Sequence, residues 1–220
     1  MATKRKVNNL LALAVLATVI ERPMHRYEIA SQMRERGKDR DMDIKWGSLY
    51  TVVQNMEKAG FLEVVGNERD GARPERTIYA ITDAGRAEMA DWTRELIAEP
   101  APEHHRFTAG LSVVAALPPD EVVELLGRRI DALGRIIEAA RRELDQLAAA
   151  DLPRLFVVEA EYGVAMLEAE VAWAASLRDE IAAGAFPGVD LWRHMHAVGM
   201  APAEVTEMVE RGMVEGGMTE

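Results

Sequence analysis

The stretch Gly47-Ser48-Leu49-Tyr50-Thr51-Val52-Val53-Gln54-Asn55-Met56-Glu57-Lys58-Ala59-Gly60 decides the fold. Leu49, Val52, Val53 and Met56 recur at i, i+3, i+4 and i+7, the apolar stripe of a helix lying on a core. Ser48 stands where an N-cap is expected, and Gly60 where a helix stops. The face left over carries Tyr50, Thr51, Gln54, Asn55 and Lys58, all hydrogen-bonding side chains. An α-helix fits the major groove of B-DNA and presents such side chains to it. The amides of Gln54 and Asn55 suit base edges, adenine above all. Ser48, Tyr50, Thr51 and Lys58, with Lys45 just upstream, suit phosphates and fix register. An ordinary surface helix would show the same stripe, so the flanking segments have to decide.

Upstream, Asn8 or Asn9 caps an expected helix to about Ile20, apolar around most of its circumference and therefore expected to be buried. Pro23 interrupts. A second helix is expected from Arg26 to Arg36, with Tyr27, Ile29, Ala30 and Met33 inward and Gly37 at its C-terminal cap, followed by a charged loop over 38–45. Downstream, strands at Phe61–Val65 and Thr77–Ile81 flank a loop, 66–76, rich in Gly, Asn, Asp and Pro. It carries Arg69, Arg73 and Arg76. Thr82 or Asp83 opens a fourth helix to about Ala98. Three helices, a hairpin and a helix follow the order of a winged helix-turn-helix, and arginines on a wing suit the minor groove or the backbone. Glu68, Asp70 and Glu75 oppose them. With a basic hairpin directly behind it, the third helix reads as a recognition helix. Arg26 and Tyr27 on the second helix, and Arg5 in the run Lys4-Arg5-Lys6, complete the expected DNA-binding set.

The net charge of −11 is unevenly distributed. Up to position 98 there are 16 basic and 15 acidic residues; beyond it, 10 and 22. DNA binding needs only a local basic face, and the acidic rear half is expected to face away from phosphate. Glu99-Pro100-Ala101-Pro102 reads as a linker. The expected domains are 1–98 for DNA binding, 103–184 for a helical dimerisation or effector region, and 185–220 for a partly flexible tail. The rear helices are expected over about Glu103–Ala116, from Pro118-Pro119 to Ala149, and Pro153–Ala183. In the second, Val122, Leu126, Leu133, Ala140, Leu144 and Leu147 mark a coiled-coil-like seam. It must be buried either against a second copy or in a hairpin with the third helix, and the two can coexist. The fold class is therefore mainly α: an N-terminal winged helix-turn-helix with a two-stranded wing, and a C-terminal helical, coiled-coil-like dimerisation domain.

The absence of cysteine excludes disulfides, thiolate metal sites and cysteine nucleophiles. The apolar run from Leu10 to Ile20 is too short to span a bilayer, and Glu21-Arg22 follows it without a cleavage pattern, so a cytoplasmic protein without membrane contact is expected. His104-His105 and His194-x-His196 lack metal-ligand spacing, the second pair suiting a strand better than a helix. No metal and no cofactor are expected, and no catalytic motif is present. Among Trp92, Trp173 and Trp192, Trp92 is the foremost candidate to line an effector pocket, against the ordinary reading as a core residue.

These segments together resemble the PadR family of bacterial regulators. The resemblance is carried by Leu11-Ala12-Leu13 through Leu16, His25-Arg26-Tyr27-Glu28-Ile29, Gly47-Ser48-Leu49-Tyr50, Met56 through Leu62, Arg73-Pro74 and Tyr79-Ala80-Ile81-Thr82-Asp83-Ala84-Gly85, over roughly 8–90. It implies a homodimeric repressor, joined through its C-terminal helices, that binds an inverted-repeat operator in double-stranded DNA and leaves it when a small-molecule effector binds. It also implies that Tyr50 contacts the phosphate backbone. Two departures stand out: Arg26 replaces the family's usual glycine, and Ala72-Arg73-Pro74-Glu75 replaces Gly-Arg-Pro followed by a basic residue. A helical adaptor on a winged-helix scaffold, no longer reading DNA, is the alternative that Glu75 and the overall charge keep open.

Overall fold

The computed structural model describes residues 5–38, 42, 44–68, 76–103 and 105–200. The chain divides into two compact units, Met1–Glu103 and His104–Glu220. The first holds α1 (Leu10–Val19), β1 (Met24–His25), α2 (Arg26–Glu35), a 3₁₀ turn at Trp46–Ser48, α3 (Leu49–Lys58), β2 (Leu62–Glu68), β3 (Arg76–Ile81) and α4 (Asp83–Ala98). The strands form one antiparallel sheet in the order β1-β3-β2. This is a winged helix. Asn9 caps α1, its side chain accepting the Leu11 amide. The helix has no polar side, and that suits its place: Leu11 through Leu16 and Val19 are all buried. Its one buried polar side chain, Thr18, donates to the Ala14 carbonyl within the same helix at 2.8 Å. The core around α1 takes Ile29 and Met33 from α2, Val52, Val53 and Met56 from α3, Leu62, Tyr79 and Ile81 from the strands, and Trp92 from α4.

Local chemistry differs from the sequence reading at several points. Helix α3 is not capped by Ser48: its hydroxyl donates backward to the Lys45 carbonyl at 2.7 Å, tightening the 3₁₀ turn that leads into α3. β2 runs past Val65 to Glu68, and a register shift between Val64 and Gly66 accommodates the extra length. β1 is a two-residue strand, too short for any periodic signal, paired at Met24↔Tyr79 and His25↔Ile78.

The second unit contains α5 (Arg106–Leu111), a 3₁₀ turn at Val114–Ala116, α6 (Pro119–Ala149), a 3₁₀ turn at Arg154–Phe156, α7 (Val158–Ala182) and α8 (Val189–Val198). Pro119 with Asp120 and Glu121 in the first turn starts α6 well, since proline needs no donor there and carboxylates favour the positive end of the helix dipole. The N-terminal part of the α6 seam is buried in an intrachain hairpin with α7, while Ala140, Leu144 and Leu147 are only half-buried. Val122 and Leu126 share a cluster with Ala174 and Ile181. Leu133 and Ile137 on α6 and Val164 on α7 are also buried. The expected single helix over Glu103–Ala116 breaks into α5 and a turn. Part of the expected flexible tail is helix α8, where Val189, Trp192 and Met195 are buried and Trp192 Nε1 donates to the Leu117 carbonyl at 2.9 Å. His194 and His196 therefore lie on a helix rather than a strand; His104 and 201–220 are outside the described residues.

The junction between α3 and α4 is tightly packed at Gly85. The Phe61 carbonyl accepts the Thr82 amide at 3.1 Å. The Thr82 hydroxyl donates to the Gly60 carbonyl at 2.6 Å and accepts the Gly85 amide at 3.0 Å. A Cβ on Gly85 would stand 2.2 Å from the Phe61 carbonyl oxygen and 2.9 Å from Ile81 Cγ1. Backbone has to move to admit it. Gly85→Ala is therefore expected to destabilise the protein by about 2–3 kcal/mol, read as a lowered urea midpoint with an unchanged m-value.

Candidate nucleic-acid interface

Because Leu49, Val52, Val53 and Met56 are buried, α3 turns Tyr50, Thr51, Asn55 and Lys58 to solvent and leaves Gln54 half-buried beside them. Gln54 Nε2 donates to the Tyr50 hydroxyl at 2.8 Å, an i, i+4 pair along the exposed face. Arg26, at the start of α2, lies over two aromatic rings, 4.7 Å from the Tyr50 centroid and 4.9 Å from that of Tyr27, and donates to the Tyr27 hydroxyl at 3.1 Å. This hydrogen bond, with the positive charge behind it, holds the Tyr27 phenol below the ordinary tyrosine range. Each exposed cation–ring contact contributes about 0.5–1 kcal/mol and the hydrogen bond about 1 kcal/mol. Their sum roughly offsets the ~2 kcal/mol of rotamer entropy an arginine carries, so Arg26 favours this place without being locked there. Further along α2, Arg34 lies 4.2 Å over the Trp46 ring. Arg26, Arg34, Trp46 and Tyr50 bound an open cleft of about 560 Å³, with the nearly buried Ala30 and Leu49 between them.

The base of the wing approaches the same cluster. Arg76, the first residue of β3, lies 5.9 Å over the Tyr27 ring, and its Nη1 comes within 3.3 Å of His25 Nε2. His25 Nδ1 already accepts the Glu28 amide at 3.1 Å, as the N-cap of α2. A neutral imidazole that accepts at Nδ1 carries its proton on Nε2. The Arg76 contact is thus donor facing donor, and His25 does not hold the guanidinium.

The structure brings together Arg26, Tyr27, Tyr50, Gln54 and Arg76, and sets Thr51, Asn55 and Lys58 along the same helix. Lys45 is exposed just before the 3₁₀ turn, and Ser48 is half-buried with its hydroxyl engaged as above. Arg69 and Arg73 lie outside the described residues. Arg34 and Trp46 are neighbours of the cluster that the sequence reading omitted. The signal was present: Arg34 is two helical turns beyond Arg26, and Trp46 directly precedes the recognition helix.

Two expected site residues are placed elsewhere. Arg5 is 11% exposed and bridges Glu88 at 2.6 Å and Glu95 at 2.5 Å, while its guanidinium lies 5.1 Å over the Trp92 ring. Burial alone would lower its pKa; the bonds to the two glutamates outweigh that and hold it above the usual arginine value. Arg5 fastens the N-terminal arm to α4, and its charge is matched locally. Trp92 is 3% exposed, in the core beneath it, with no accessible face to line an effector pocket in this conformation.

Residues 15–91 match the family described as the Transcriptional regulator PadR-like family. The match lies wholly within the first unit. A probable transcriptional regulator of Mycobacterium tuberculosis, Rv1176c, is 29% identical over 93 residues, which are 40% of this chain and 46% of that protein. The match thus spans less than half of that relative's length. Solved structures share the fold. Bacillus subtilis PadR in complex with operator DNA superposes with a TM-score of 0.65 at 19% identity, covering 77% of this chain and 98% of that one. The same protein with p-coumaric acid gives 0.62 at 19% identity, covering 77% and 97%. The Vibrio cholerae virulence activator AphA gives 0.58 at 17% identity, covering 79% and 98%. Within the matched residues, the stretch Thr82-Asp83-Ala84-Gly85 has a packing reason of its own in the Phe61 carbonyl.

Replacing Arg5 by Ala leaves Glu88 and Glu95 without their shared cation and uncovers Trp92. The expected loss is about 1–3 kcal/mol of stability, read by thermal unfolding, with DNA affinity at temperatures where the variant is folded unchanged in its salt dependence.

Proposed function

We propose that this protein is a homodimeric transcription repressor that reads an inverted repeat through α3 and its surroundings, and that a small-molecule effector releases it. The observation that carries the DNA reading is the Arg26–Tyr27–Tyr50–Gln54 cluster. It puts cationic, phenolic and amide groups on one exposed surface of a winged helix, where recognition helices meet the major groove. Tyr27, Tyr50, Thr51 and Lys58 supply phosphate contacts, with Lys45, Ser48 and Arg76 around them, and Arg69 and Arg73 from the same loop are assigned the same role on the sequence alone. Gln54 and Asn55 supply base contacts. The match of residues 15–91 to a family of transcriptional regulators supports the reading, as does the operator complex of a structural neighbour. The p-coumaric acid complex of that neighbour supports a small-molecule effector. No helix of the described residues is long and apolar enough to cross a membrane.

Dimerisation is supported by a largely exposed face on α7, partnered only at Trp173, among the described residues, by the edge of Phe107. Val158, Tyr162, Met166 and Trp173 are each about half exposed or more. At 100° per residue they fall in a sector of about 80°. Large side chains aligned this way leave apolar area that a second copy would cover. Two recognition helices then engage two half-sites, as an inverted repeat requires.

Two outcomes are expected. Purified protein should bind duplex DNA from the region upstream of its own gene in preference to unrelated competitor, with affinity falling steeply as salt rises. Tyr50→Ala should weaken binding about tenfold without changing thermal stability, whereas Lys58→Ala should also reduce the slope against log salt by about 0.9. Equal affinity of Tyr50→Ala and parent in gel shifts would remove α3 from the interface. For the dimer, Tyr162→Asp with Met166→Asp should give a monomer in sedimentation velocity with helicity retained. A dimer that persists would move the contact away from α7.

A further inference from the structure

We propose that Arg26 is a positioning residue for sequence reading: wedged between the rings of Tyr27 and Tyr50, it sets the Tyr50 hydroxyl so that this hydroxyl orients the Gln54 amide toward a base edge. The inference rests on the DNA-binding reading above and assigns the role of one side chain within it. Its basis is an unbroken series of contacts. Arg26 Nη2 donates to the Tyr27 hydroxyl at 3.1 Å, and its Cζ lies 4.9 Å over that ring and 4.7 Å over the ring of Tyr50. The Tyr50 hydroxyl then accepts from Gln54 Nε2 at 2.8 Å. The first turn of α2 is thereby tied to the middle of the recognition helix through side chains alone.

Each member suits its part. A guanidinium is planar and lies against aromatic faces, which an ammonium on a flexible stem does not reproduce. A cation serving only to neutralise phosphate has no need of planarity. Glutamine has two amide hydrogens and one carbonyl oxygen. Tyr50 takes one hydrogen, and the remaining donor and acceptor are the pair that adenine N7 and its N6 amino group require. A long amide side chain on a helix surface otherwise samples several rotamers, and one tethered at a single N–H has fewer to choose from.

The test uses the full-length dimer. Wild-type protein selects its preferred duplex from a random-sequence library. Binding of that duplex and of its single-base-pair variants is then measured for wild type, Arg26→Lys, Tyr50→Phe, Gln54→Ala and the double variant Arg26→Lys/Gln54→Ala, with folding checked by circular dichroism. Gln54→Ala should flatten the preference at one base pair per half-site, by about tenfold. Arg26→Lys should keep the wild-type salt slope yet lose at least about threefold of that same preference. In the double variant it should cost nothing further there, because its effect runs through Gln54. Tyr50→Phe keeps the ring against Arg26 and removes only the acceptor, so it should reproduce the loss; if Arg26→Lys misfolds, Arg26→Gln takes its place in both the single and the double variant. Full preference in Arg26→Lys or in Tyr50→Phe, independent multiplication of the Arg26 and Gln54 effects, or no change at any base pair in Gln54→Ala would each overturn the proposal while leaving DNA binding intact. A wild-type chain that enriches no sequence would overturn the DNA reading and this inference together.

Discussion

Burial of Leu49, Val52, Val53 and Met56 against α1, apolar but for Thr18, fixes which side of α3 meets solvent. A helix of this length has no stability of its own in water and exists because one face is covered. Its opposite face then has no freedom of address. Tyr50, Thr51, Asn55 and Lys58 are outward because the stripe is inward, and a rotation of the helix by one residue would put polar groups in the core at a cost of roughly 1–3 kcal/mol for each one unsatisfied. The reading surface is in this sense a by-product of packing, held from behind by α1 and α2 and at its C-terminal end by the Gly60–Thr82–Gly85 junction.

On that surface the arginines divide by what surrounds them. Arg5 is enclosed by two carboxylates and an indole and acts as a fastener. Arg22 and Arg36 pair with Glu28 and Glu21, which holds both carboxyl groups below the usual range and balances those charges locally. Arg26, Arg34 and Arg76 instead lie against aromatic rings. A ring face steadies a guanidinium while leaving its charge uncompensated, and a phosphate needs such a cation. Sequence shows all of these as equal positive charges; the structure separates those paired with carboxylates from those that, among the described residues, lie against aromatic rings.

Where a pattern repeated often enough, the sequence was legible. The stripe of α3, the long seam of α6, the cap at Asn9 and the strand pair around the wing all follow from spacing and side-chain chemistry. What escaped depended on partners distant in the chain. β1 is two residues long and exists only as an addition to β3. Ser48 looked like a cap, yet the 3₁₀ turn offered the Lys45 carbonyl instead. Helix α8 hid in a segment whose glycines suggested a loose tail, because its reason to fold is Trp192 reaching the Leu117 carbonyl 75 positions away. Arg5 and Trp92 each invited a functional reading in isolation; their contact with one another, and with Glu88 and Glu95, makes them one structural unit. Arg34 and Trp46 went unnoticed for the same reason, since neither means much without the other.

The central claim is that the outward face of α3, together with the first turn of α2, is where this protein meets duplex DNA. Photo-crosslinking tests it most directly. The full-length protein, bound to its selected duplex with bromodeoxyuridine in place of thymidine in the half-sites, is irradiated, and the crosslinked peptides are identified by mass spectrometry. The account predicts crosslinks to peptides containing Tyr50 or Tyr27. Crosslinks confined to peptides from the second unit, with none from 26–58, would contradict it.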